Sequence, residues 1–211
     1  MKNLKKIAAV VLAATMAVNV AGCAMGGKLS PKTLSSAAKK YGAEEIKDPD
    51  EFSDMMEDGE DFEDGAYITA AGKDVKDILK GNDVTDGIYD KSIASATVCV
   101  VADPDKGYGV FLMSFSFKSK EDAQDFYDER AEEFEDLEDS SYDYDSDDGE
   151  ENGITYVVAS AETYAFYYTG GAYLSGKTVF VAIGVAEDID DANDIIDDIA
   201  ADYDLVLPSD L

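Results

Sequence analysis

Three aspartates at alternate positions are the clearest candidates for cation binding in this sequence. Asp143, Asp145 and Asp147 lie within a low-complexity acidic insertion, residues 139–153. Carboxylates at this spacing match the first three ligands of a calcium-binding loop. The segment differs from such a loop at two positions. The turn glycine falls one position late, and Ile154 occupies the position of the bidentate glutamate. The sequence thus offers a candidate calcium site, and the alternative is a solvated, mobile loop.

Tyrosines form a second candidate site. Residues 163–169 are rich in aromatic side chains, and another tyrosine follows nearby. Exposed tyrosines suit a sugar ring or a peptide, because they combine stacking area with a hydroxyl group. The candidate partner or ligand surface consists of Tyr164, Tyr167, Tyr168 and Tyr173. The alternative is an aromatic core strand whose hydroxyl groups reach the edge of the core.

The residue types argue against most catalytic chemistry. The chain has no histidine, so triads built on histidine are excluded, and the commonest ligand of zinc, copper and nickel is missing. Cys99 lies in an apolar run and is predicted to be a buried, inert thiol. Phosphate loops, nucleophile elbows and zinc motifs are absent. We therefore expect neither an enzyme nor a bound cofactor.

The first 22 residues have the layout of a signal peptide. A basic start with Lys2, Lys5 and Lys6 leads into an apolar core over residues 7–18 and then into small residues. The apolar stretch is shorter than the ~20 residues that a membrane-spanning helix needs. The sequence therefore predicts export from the cytoplasm.

The end of this segment, Val20-Ala21-Gly22-Cys23, resembles the lipobox of bacterial lipoproteins. The resemblance implies cleavage between Gly22 and Cys23, a diacylglyceryl group on Cys23, and a lipid-anchored protein on the extracytoplasmic face of the cell membrane. An ordinary secretory signal that is cut elsewhere is the alternative. In size and charge the whole chain also resembles small acidic surface lipoproteins of Gram-positive bacteria, whose function is mostly unassigned.

The charge balance excludes one class of partner. The chain has 17 basic and 47 acidic residues and a net charge of −30, which becomes −33 without the three lysines of the signal segment. Such a surface repels nucleic acid. Residues 23–43 hold four lysines and no acid, which suits a stem beside anionic headgroups. Alternatively, the negative charge of the remaining residues serves only to keep the protein soluble.

The pattern of elements predicts an α+β protein. After the signal peptide (1–22) and a lipidated tether (23–29), residues 30–64 form an N-terminal helical segment and residues 65–211 an α+β domain with the acidic insertion. Strands are expected at 66–70, 93–102, 108–117, 154–160, 163–169 and 177–186, and helices after Ser119 and Asp188.

A weak internal repeat suggests how these elements are arranged. A shift of 69 residues places 107–134 on 176–203, and eight of the 28 positions are then identical. We interpret this as two strand-strand-helix units, about 93–137 and 162–205. Side by side, they predict an antiparallel sheet with its helices mainly on one face. The other face is apolar as well and needs cover, which the N-terminal helices, a helix around residues 75–79 or a second molecule could supply. If none of them covers it, this face is the best candidate surface for a partner.

These features favour a non-catalytic, membrane-anchored module that binds a cell-envelope protein or glycan. The alternative is an extracytoplasmic protein that binds calcium through the acidic insertion. A weaker alternative is a carboxylate-dependent glycan hydrolase, although no pair of carboxylates stands out as its acid and base.

Overall fold

The computed structural model describes residues 28–58, 62–75, 78, 93–103, 105–201 and 203–211. Their helices are α1 (Pro31–Tyr41), α2 (Pro49–Asp58), α3 (Lys120–Glu135) and α4 (Ile189–Ala200). Their strands are β1 (Glu44–Glu45), β2 (Phe62–Ala71), β3 (Ile93–Asp103), β4 (Tyr108–Phe117), β5 (Asp143–Glu151), β6 (Ile154–Glu162), β7 (Tyr167–Ser175) and β8 (Thr178–Ala186). The signal segment and Cys23 lie outside these residues.

All the described strands belong to one sheet, in the order β1-β2-β3-β4-β8-β7-β6-β5. Only the pairing of β1 with β2 is parallel, and the other neighbours are antiparallel. The central strands β4 and β8 are buried along almost their whole length. The structure is therefore an α+β fold built around a mainly antiparallel sheet.

The helix caps predicted from the sequence are confirmed. The Ser119 hydroxyl accepts a hydrogen bond from the Asp122 N–H at 3.0 Å, and the Asp188 carboxylate caps α4 through the Asp190 N–H. Ser30 caps α1 in the same way, and Gly42 ends that helix with a φ of 119°. These caps satisfy N–H groups that have no partner within the helix.

The sheet is covered on both faces. The front layer holds α2 and α3, whose Phe52 and Phe126 pack on one core cluster. The back layer holds α1 and α4, whose Leu34 and Ile196 pack on the other. Both apolar faces of the central strands are thus buried by this chain's own helices. The prediction that the helices lie mainly on one face is wrong, and in the described part neither apolar face of the central strands is left open for a partner.

The predicted strand-strand-helix repeat is not confirmed. The shift of 69 residues equates Phe111 with Phe180, but Phe111 lies in the front core and Phe180 in the back core. In the pairing of β4 with β8, Phe180 lies opposite Ser114 rather than beside Phe111. Side chains alternate between faces along a strand, so an offset by an odd number of residues exchanges the faces. The helices α3 and α4 therefore lie on opposite sides of the sheet.

The acidic insertion differs most from expectation. Residues 143–151 are not a loop but the strand β5, which pairs with β6 over its whole length. Asn152 and Gly153 join the two strands with φ values of 54° and 77°. Positive φ at both central residues is the mark of the type I′ turn, for which Asn-Gly is the preferred sequence. The Asn-Gly dipeptide by itself predicts a hairpin, but the acidic composition of the segment favoured a loop.

Candidate functional site

Tyr164 is the most exposed large hydrophobic residue that the structure describes, with 93% of its surface accessible. The expected strand 163–169 begins later, at Tyr167, and residues 163–166 form a tight turn. The Thr163 hydroxyl donates to the Phe166 carbonyl oxygen at 2.8 Å, and the Thr163 N–H donates to the same oxygen at 3.0 Å. The turn therefore holds Tyr164 at its tip, away from the core.

Tyr142, which the sequence analysis did not single out, packs against Tyr164. The two ring centroids are 4.0 Å apart and the rings meet edge to face at 78°. Tyr142 is 53% exposed, and its N–H donates to the Glu162 carbonyl oxygen at 2.9 Å, one residue before β5 begins. The two tyrosines come from different elements and form an aromatic pair in solvent.

Glu162 and Tyr167 complete this surface. Tyr167 is half-buried and lies opposite Glu162 in the pairing of β6 with β7. The negative charge of Glu162, together with partial burial, raises the pKa of the Tyr167 phenol. Partial burial and Glu162 also raise the pKa of Tyr142. We call Tyr142, Tyr164, Tyr167 and Glu162 the tyrosine rim. It offers aromatic surface, phenol hydroxyls and one carboxylate.

The other two predicted tyrosines lie elsewhere. Tyr168 is half-buried against the front core. Tyr173 is fully buried in the back core, and its hydroxyl donates to the Val206 carbonyl oxygen at 2.8 Å. Burial strongly raises the pKa of Tyr173, so its hydroxyl remains a hydrogen-bond donor. For Tyr173 the alternative of a core aromatic residue was therefore right.

The three candidate cation ligands lie on the back face of β5. Asp143, Asp145 and Asp147 are all exposed. Residues two apart on a strand are about 6.8 Å apart, so the carboxylates form a row instead of enclosing an ion. Asp147 also accepts a hydrogen bond from the Tyr156 hydroxyl at 2.8 Å. Within the described ranges no group of three or more acidic or cysteine residues is placed to hold a metal ion.

Cys99 is buried, as expected. Burial raises the pKa of its thiol to about 12, which keeps it protonated at neutral pH. A thiolate is the reactive form of cysteine, so this side chain acts as a small apolar core residue. The described residues therefore offer no activated cysteine nucleophile.

The tyrosine rim lies at the end of the sheet opposite the point where the described chain begins. At that point the Lys28 ammonium contacts the Asp204 carboxylate at 3.0 Å, and the Asn152 amide donates to the same oxygen at 3.4 Å. Asn152 lies in the turn between β5 and β6, whereas Tyr142 and Glu162 lie at the other end of this hairpin. Nine-residue strands separate the two ends by about 27 Å.

Comparisons with known proteins identify no relative. No family model matches the sequence, and no curated protein does. One solved structure that resembles the chain in part is the extracellular domain of PknH from Mycobacterium tuberculosis, with 10% identity and a TM-score of 0.34. The likeness covers 53% of this chain and 64% of that one, and a match this loose supports no statement about fold or function. Across the described residues, no helix is long and apolar enough to cross a membrane.

Proposed function

We propose that this protein is a lipid-anchored, extracytoplasmic binding module without catalytic activity, and that the tyrosine rim contacts a partner in the cell envelope. The observation that carries the proposal is the exposed pair of Tyr142 and Tyr164. Of the large apolar side chains that the structure describes, only these two and Leu211 are exposed. Tyrosine is one of the residue types enriched in binding hot spots.

The placement of the rim agrees with an anchor at Cys23. Four residues lie between Cys23 and Lys28, and the five residue-to-residue steps span at most roughly 18 Å. An anchored body would therefore lie close to the membrane at its Lys28 end. The tyrosine rim, about 27 Å further along the hairpin, would face away from the membrane.

The anchor is tested by replacing Cys23 with serine. We expect the Cys23→Ser protein to leave the membrane fraction and to lose metabolic labelling with palmitate, because no acceptor thiol remains at the mature end. If the variant still fractionates with membranes, the proposed lipid anchor is wrong. This result would not depend on whether the tyrosine rim binds a partner.

The binding surface is tested by photo-crosslinking on intact cells. A photoreactive phenylalanine analogue at position 164 should form covalent adducts with an envelope component, and the same analogue at the exposed position Glu51 on α2 should not. Both sites are solvent-exposed, so the comparison separates specific contact from random capture. Equal yields at the two positions would reject the tyrosine rim as the binding surface.

A further inference from the structure

The strand β5 leaves one edge of the sheet unpaired. It is the last strand in the sheet order, and in the described part of the chain its ladder of hydrogen bonds runs to β6 alone. Seven of its nine residues are exposed. The Ser146 N–H donates to the Asp145 carboxylate at 3.0 Å. A free edge otherwise presents backbone N–H and C=O groups on which another extended chain can pair.

This edge lacks most of the features by which proteins block such pairing. Edge strands are commonly short, bulged, charged, or interrupted by proline. The strand at the other end of the sheet, β1, is only two residues long. By contrast, β5 has nine residues, contains neither proline nor lysine, and keeps an unbroken register with β6 from Asp143 to Glu151. The blocking feature that β5 does have is its charge.

The charge of β5 selects the partner. The strand carries six carboxylates and no basic residue, namely Asp143, Asp145, Asp147, Asp148, Glu150 and Glu151. A second copy of this chain paired at the same edge would place carboxylates against carboxylates, which is unfavourable for directly opposed residues. An edge of this charge disfavours pairing with a second copy and fits a cationic segment.

We propose that the free edge of β5 binds an extended, lysine- or arginine-rich segment of a partner protein, which adds to the sheet as a ninth strand. Basic residues at alternate positions of that segment would lie beside Asp143, Asp145 and Asp147 on the back face. Backbone hydrogen bonds give the affinity in this mode of recognition, and side chains give the specificity.

The tyrosine rim extends the same surface. Tyr142 directly precedes β5, and Glu162 lies opposite Asp143 in the pairing with β6. Aromatic faces attract ammonium and guanidinium groups, and a carboxylate among them strengthens that attraction. A lysine or arginine at the end of the added strand would therefore meet both the rings and Glu162.

This inference rests on the proposed binding function but is tested separately, with the full-length lipidated protein in neutral detergent micelles. The probe is a synthetic nine-residue peptide of alternating lysine and threonine. We expect saturable binding, and amide hydrogen exchange in β5 at least tenfold slower with the peptide, while β2 is unchanged. Binding without protection of β5 would overturn the proposal.

A second peptide separates backbone pairing from charge. It has the same sequence, but every backbone nitrogen is methylated, so that it keeps the positive charges and cannot donate hydrogen bonds. We expect its binding to be at least tenfold weaker. Equal binding of the two peptides would show adsorption by charge alone and would overturn the added strand.

Charge-reversal variants locate the site. The double variant Asp143→Lys, Asp145→Lys should bind the lysine peptide at least tenfold more weakly than the control Glu51→Lys, Asp54→Lys. The control residues are exposed on α2, beside the far end of the sheet, and the change in net charge is the same. Equal affinities would mean that net charge rather than β5 attracts the peptide, which would overturn the assignment.

The outcomes also separate this inference from the proposed function. If position 164 crosslinks on cells but β5 gains no protection, the tyrosine rim remains a binding surface and the ninth strand is rejected. If β5 is protected but position 164 yields no more adduct than position 51, the edge binds basic strands and the rim is rejected.

Discussion

A methyl group added at Gly184 should push α4 away from the sheet. A Cβ atom at this position would lie 2.8 Å from the Cβ atom of Ala192 on α4 and 2.8 Å from the Cγ2 atom of Thr169 on β7. Carbon atoms that are not bonded prefer separations of about 3.5–4.0 Å. Ala192 is fully buried, so the helix can relieve this clash only by moving outward.

The expected cost follows from two opposing effects. Overpacking of a well-packed core costs about 1–3 kcal/mol. Replacing glycine with alanine also restricts the unfolded chain, which returns roughly 0.4–1 kcal/mol. The two ranges combine to a net loss for Gly184→Ala of roughly 0–2.6 kcal/mol, with a midpoint of about 1.3 kcal/mol. For a protein of this size the midpoint should lower the Tm by roughly 3–5 °C.

A matched control is available on the neighbouring strand. At Gly109 on β4 an added Cβ atom would lie 3.6 Å from Cε2 of Phe111 and 4.0 Å from Cβ of Ala102, which are ordinary contacts. Gly109→Ala should therefore equal or slightly exceed the wild-type stability. Urea and thermal unfolding, followed by circular dichroism, measure both variants. If Gly184→Ala is as stable as Gly109→Ala, the close approach of α4 to the sheet is refuted.

Three further results are expected. Tyr173→Phe removes the hydrogen bond that holds the C-terminal tail through the Val206 carbonyl, and should lower the free energy of unfolding by about 1 kcal/mol; an unchanged urea midpoint would contradict this contact. Burial alone would raise the pKa of Asp103, but hydrogen bonds from Lys106 and Asp105 lower it overall. Asp103 therefore stabilises the fold above its unfolded pKa and loses this effect as the pH falls through its folded pKa. The deficit of Asp103→Asn relative to wild type in urea unfolding should shrink below about pH 4, and a constant deficit would contradict this. Thermal unfolding curves in EDTA and in calcium at matched ionic strength should coincide, because the carboxylates of β5 form a row; a rise in Tm specific to calcium would restore the calcium-site hypothesis.

Much of the local structure could be predicted from short stretches of sequence. The bounds of β4 agree with the predicted 108–117, and the caps of α3 and α4 are at the predicted Ser119 and Asp188. These features depend on side chains and backbone groups within a few residues of one another. The wholly apolar face of β3 likewise predicted its burial correctly.

The strand β5 shows where local composition misleads. Its acidic residues have low strand propensity, and the segment suggests a solvated loop. It is a strand because the Asn152-Gly153 turn brings its backbone beside the apolar strand β6. The hydrogen bonds of that pairing are indifferent to the side chains, so the charged residues remain in solvent at the edge.

The sequence by itself determined the composition of this protein, its helix caps and most of its strands, because each is set by neighbouring residues. Only the tertiary structure decided which side chains of each strand face the front helices and which face the back helices. The register between distant strands sets this assignment, and an offset of one residue reverses it. The tyrosine rim has the same origin. Tyr142 and Tyr164 are 22 positions apart in the chain, and the pairing of β5 with β6 brings their rings together.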